Sequence, residues 1–140
     1  MTNDETRTFS STYPFLVSCS GTGTKSISVI SSIIDQGGMG KVIVSREKGY
    51  YGSGQLYTII LNGKQLGKLG QGETLVGASI EGTNNIEANV GGYDLGSSAV
   101  SFKGGINSNN YFIISFKQGL LYGSIRLIET NESSWKNAMQ

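Results

Sequence analysis

The sequence predicts an all-β protein, an antiparallel β-sandwich of short, hairpin-linked strands with a short C-terminal helix. Three observations carry this expectation. Glycine supplies 21 of the 140 residues while charged residues make up only 15%, a balance that suits tight turns between short strands and not a helical bundle. Short runs rich in β-branched and aromatic residues recur along the chain, each bounded by Gly, Asn or Ser clusters. Asn62-Gly63 stands between two such runs. It is a strong hairpin signal, because both residues tolerate the positive φ of a type I′ turn.

The length fits one domain, preceded by a flexible arm. Residues 1–24 form that arm: residues 1–11 are polar and without period, a short apolar patch ends at Cys19, and Ser20-Gly-Thr-Gly-Thr24 is a loop. Residues 25–140 form the sandwich domain. Its first segment, residues 25–35, fits two periods. Ile27, Ile30 and Ile34 suit a helix face, whereas the β-branched and serine content suits a strand, and the strand is preferred.

Strands are expected next at residues 41–45 and 55–61, the latter apolar on both faces and therefore central. Asn62-Gly63 joins it to residues 64–69. Further strands are expected at 74–80, 86–90, 98–103, 111–117 and 124–129. In the second of these, Glu87 and Asn89 alternate with Ile86, Ala88 and Val90, the pattern of a half-exposed strand. The C-terminus changes period. Thr130-Asn131 can cap a helix, Glu132 and Lys136 are four apart, and Trp135 and Met139 share one face.

Composition excludes more functions than it suggests. The chain has no His, which removes the commonest general base and transition-metal ligand together with Ser/Cys–His catalysis. The expectation is a protein that is not an enzyme and uses no metal or cofactor. A formal net charge of +1 offers no surplus for nucleic-acid phosphates. No apolar run is long enough for a transmembrane segment.

Several motifs invite chemistry. Gln36-Gly-Gly-Met-Gly-Lys-Val-Ile43 is like a glycine-rich phosphate loop, but Val42 stands where a P-loop carries Ser/Thr. It is read as a turn feeding a strand. The acidic residues are scattered singly, without the pairing that hydrolysis needs. Tyr50, Tyr51 and Tyr93 lie near loops and are candidates for stacking on a sugar ring. Arg46 follows a strongly β run and is a candidate for ligand binding, or for stacking on a ring or pairing with a carboxylate. Asn131-Glu-Ser133 matches a glycosylation sequon. Leu16-Val-Ser-Cys19 has the form of a lipobox, which makes Cys19 a candidate for lipidation and a lipid anchor. The competing reading of Cys19 is a reduced cysteine in a cytoplasmic protein.

Residues 42–129 also carry a resemblance. Val42-Ile-Val-Ser-Arg46, Gly49-Tyr-Tyr-Gly52, the run from Tyr57 to Gly72 with its Asn-Gly-Lys turn, Asn110 to Phe116 and Ile125 to Glu129 together resemble a family of small bacterial envelope proteins, many of them lipoproteins, that carry a domain of unknown function. More distantly they are similar to PEGA-type β-sandwich modules. Where that family has Pro-Gly before its next strand, this chain has Glu81-Gly-Thr-Asn-Asn85. The resemblance implies a β-sandwich interaction or structural module, with a protein partner or self-association, in the bacterial cell envelope or periplasm. A glycan-binding role and a self-associating β-rich subunit are the alternatives.

Overall fold

The computed structural model describes residues 21–48, 55–90, 97–118 and 123–140. In chain order the elements are α1 (Ile27–Ile34), β1 (Lys41–Arg46), β2 (Tyr57–Leu61), β3 (Lys64–Leu69), β4 (Thr74–Ala78), β5 (Gly82–Val90), β6 (Ser97–Gly104), β7 (Asn109–Gln118), β8 (Gly123–Thr130) and α2 (Glu132–Met139). The strands form two four-stranded sheets, ordered β4-β1-β7-β8 and β3-β2-β5-β6. The result is a β-sandwich with a short C-terminal helix.

The strand interiors follow from side-chain alternation. Val42, Val44, Phe112, Ile114, Ile125 and Leu127 of the first sheet face Tyr57, Ile59, Ile86, Ala88 and Phe102 of the second in one buried core. Phe102 and Phe112 meet edge to face with ring centroids 5.0 Å apart, a favoured aromatic geometry. β2 alternates buried and half-buried residues and lies centrally between β3 and β5. The β2–β3 turn adopts φ of 51° at Asn62 and 83° at Gly63, the geometry that favours Asn-Gly in this position.

Two features depart from simple hairpin stacking. β1 and β7 run parallel, from Lys41 beside Asn109 to Arg46 beside Ile114, while every other described pair is antiparallel. Residues 25–35 form a helix and not the expected strand. The helical period of Ile27, Ile30 and Ile34 prevails because Ile30 is buried on the outer face of the first sheet, in a cluster with Ile43, Tyr111, Trp135 and Met139. An eight-residue helix is marginal in isolation, so this docking and the cap decide the outcome. Ser26 supplies that cap, its hydroxyl accepting from the Val29 N–H at 3.3 Å.

α2 covers the same outer face. Asn131 caps it by accepting from the Ser134 N–H at 2.9 Å. Lys136 and Glu132 pair at 3.1 Å on its exposed side, while Trp135 and Met139 are buried.

The two open sides of the sandwich are closed differently. On one, the Ser98 hydroxyl of β6 accepts from the Leu127 N–H of β8 at 3.0 Å. On the other, residues 21–24 run between the sheets: Thr22 N–H donates to the Lys68 carbonyl at 2.8 Å, and Thr24 exchanges both backbone bonds with Thr74. The rest of the expected arm, residues 1–20, lies outside the described residues.

Candidate functional site

Arg46 ends β1 and is only 2% exposed. Its guanidinium lies over the Tyr57 ring, 3.7 Å from the centroid, and donates to the Leu69 carbonyl at 3.0 Å and to the Gln55 carbonyl. Burial pulls its pKa down from the ordinary arginine value, with Tyr57 and Glu73 acting in the opposite sense. Burial likewise pushes the Tyr57 hydroxyl up, opposed by Arg46. Glu73, 3% exposed, accepts from the Gly70 N–H at 2.7 Å and the Gly21 N–H at 3.0 Å. Its carboxylate therefore fastens the β3–β4 turn and the incoming chain. Both charges are engaged with backbone groups inside the sandwich, which is where a buried charge has to find compensation. Glu73 was not singled out by sequence reasoning. A carboxylate directly after a Gly-Gln-Gly turn carries no local signal that it points inward.

Tyr50, Tyr51, Tyr93 and Cys19 lie outside the described residues. Among the described residues there is no group of His, Cys, Asp and Glu able to hold a metal ion. No described helix is long and apolar enough to cross a membrane.

The opposite end of the sandwich is organised around the glycine-rich motif. Gly38 has φ of 106°, a conformation that a side chain strains. Gly40 is buried, and a Cβ there would stand 2.3 Å from both the Gly105 carbonyl oxygen and the Ser79 hydroxyl. Three loops converge on it. Asn107 N–H donates to the Gly38 carbonyl at 2.7 Å, Ser79 N–H donates to the Gly40 carbonyl at 3.0 Å, and the Asn107 side chain accepts from the Gly38 N–H at 2.8 Å. The Lys41 ammonium folds back onto the Gln36 carbonyl. In this arrangement the glycines serve loop packing.

A buried asparagine stiffens the neighbouring turn. Asn84 is fully buried, and its carbonyl oxygen accepts from Ile80 N–H at 2.8 Å and from the Asn62 amide at 2.9 Å. Its amide donates to the carbonyls of Ile80 and Gly82, each at 3.0 Å. All its hydrogen-bonding capacity at this buried place is thus used, as burial requires.

On this framework three large apolar side chains stand in solvent. Met39 is 66% exposed, Ile80 57% and Ile106 73%, one on each of the loops joined at Gly40. Sequence reasoning missed them because each reads singly as ordinary loop composition. Their proximity exists only once β1, β4 and the β6–β7 loop meet. Beside them, a shallow groove of 380 Å³ runs between α1 and β4, lined by Ile33, Gln36, Met39, Val76 and Ala78 among others.

No family model matches this chain, and neither a curated protein nor a solved structure is significantly similar to it.

Proposed function

We propose that this protein is a non-enzymatic interaction module that holds a protein partner against the loop end around Gly40. The supporting observation is the exposure of Met39, Ile80 and Ile106 on three loops tied to one another by backbone bonds. Apolar side chains gathered on a rigid framework are suited to burial against a partner, and recognition commonly uses loops positioned by a fixed scaffold. Because the loops are already ordered, little conformational entropy is lost on binding.

Site-specific photo-crosslinking in the native cell tests this. A photoreactive residue at position 39, 80 or 106 is expected to give the same discrete adduct, and one at exposed Lys68, toward the opposite end of β3, is expected not to. Met39→Asp or Ile106→Asp should abolish the adduct without altering the melting temperature. Adducts no different from the Lys68 control would refute the reading.

The same proposal places the protein in the bacterial cell envelope, supported by the resemblance over residues 42–129 and by Leu16-Val-Ser-Cys19. Intact mass of the protein from its native host decides that part. A diacyl or triacyl adduct on Cys19 supports envelope anchoring, and an unmodified chain beginning at Met1 removes it.

A further inference from the structure

The β4 edge offers a short stretch of unpaired backbone with closed ends. β4 is the outer strand of its sheet. Thr74 exchanges its outward backbone bonds with Thr24, while Glu73 and Ser79 turn theirs inward, to Arg46 and Gly40. Alternation along an antiparallel ladder, in a register without irregularity from Thr74 to Ala78, then turns the N–H and C=O of Val76 and Ala78 outward. Beyond them, Ile80 N–H and C=O are both taken by Asn84. Among the described residues, nothing hydrogen-bonds to the four outward groups of Val76 and Ala78. Unpaired donors and acceptors spaced as a strand edge are complementary to another extended strand. Thr24 pairs with Thr74 on this edge as an isolated antiparallel bridge.

We infer that a second copy of this chain occupies this window, pairing β4 with β4 antiparallel about a two-fold axis at Gly77. In that register Val76 of one copy faces Ala78 of the other, and each pair exchanges both of its backbone bonds. The window is self-complementary, with two donors and two acceptors at matching spacing on each copy, as an isologous interface requires. Gly77 falls at the axis, where the two strands approach most closely as a non-hydrogen-bonded pair. Its Cβ position is already filled on the core side by Leu61 and Leu66, so the axis stays free of side chains. The grooves beside the two β4 strands then join into one apolar trough flanked by Met39 of both copies. A net charge of only +1 opposes the association little. The inference rests on the backbone groups of Val76 and Ala78, with Met39 only flanking the paired strands, so it stands or falls apart from the function proposed above.

Ala78 provides the test. Its N–H points outward, so Ala78→Pro removes no bond to β1 and sits where an edge strand tolerates proline. Ala78→Lys places a charge at the same point, a common way of blocking edges. Sedimentation equilibrium of the full chain, from micromolar to near-millimolar concentration, should show a monomer–dimer equilibrium that each variant weakens at least about tenfold, the expected effect of losing intermolecular backbone bonds. The melting temperature of the dilute variants should match the wild type. Only monomer in the wild type, or a dimer that both variants leave intact, overturns the inference. Should the variants misfold, hydrogen exchange of the wild type decides. Protection of the Val76 and Ala78 amides that rises with concentration supports the pairing, and concentration-independent exchange refutes it.

Discussion

The indole N–H of Trp135 donates to the hydroxyl of Ser45 at 2.6 Å across 90 positions of sequence, and the same hydroxyl lies 2.6 Å from that of Thr74. All three residues are buried. This chain of polar contacts joins α2, β1 and β4 beneath the otherwise apolar buried face of the helix. The Tyr111 ring, tilted at 44° with its centroid 5.7 Å away, packs on the indole. α2 is thus positioned by one directional bond as well as by burial.

Ser45→Ala leaves that indole N–H without its acceptor in a dry site. The expected loss is about 1–3 kcal/mol, the cost of an unsatisfied buried donor. The chain has one Trp, so fluorescence during denaturant unfolding reports on α2 docking directly. An unchanged denaturation midpoint would show that apolar contact alone seats the helix.

Arg46 should prove structural in its energetics. Arg46→Met retains bulk but leaves the carbonyls of Gln55 and Leu69 without their donor and removes the cation from the Tyr57 ring. A destabilisation of about 2–4 kcal/mol is expected from losing charged hydrogen bonds in a buried place. Arg46→Lys should recover only part, because an ammonium lacks the planar face that the guanidinium lays over the Tyr57 ring. Full recovery by lysine, read from urea unfolding, would contradict this account.

Two glycines should respond to alanine for different reasons. At Gly40 the added methyl meets backbone and a buried side chain, so Gly40→Ala should cost about 1–3 kcal/mol as overpacking and loosen the three-loop junction. At Gly63 nothing lies within 4 Å of a Cβ, and only the positive φ is strained, costing about 1 kcal/mol. Hydrogen exchange at Ser79 and Asn107 should accelerate in the first variant and not in the second.

Stability should fall in alkali through Tyr111. Burial raises its hydroxyl above the ordinary tyrosine value, Glu132 and Asp35 add to the rise, and Asn109 opposes it. As pH climbs past about 10, the unfolded tyrosine ionises first. The contribution is therefore complete below that pH and is lost as pH rises through the folded-state value. Tyr111→Phe should flatten the decline in unfolding free energy over that window. An equal slope in both proteins would place the alkaline sensitivity elsewhere.

Local chemistry alone made much of the architecture readable. The Asn62-Gly63 hairpin depends only on what two adjacent residues can do with φ. The C-terminal helix depends on a cap, one ion pair and a spacing of four between Trp135 and Met139. The alternation in residues 86–90 needs no knowledge of the partner strand. Tertiary structure decided what these rules leave open. Residues 25–35 carry both periods, and the strand preferred on composition gave way to a helix because Ile30 has a sheet face to bury against. The parallel pairing of β1 with β7 joins segments more than sixty positions apart, beyond the reach of any periodicity. The buried state of Arg46, the inward turn of Glu73 and the gathering of Met39, Ile80 and Ile106 arise from the same cause. Each side chain's environment is built by strands distant in sequence, and burial is a property of that assembly and not of the residue.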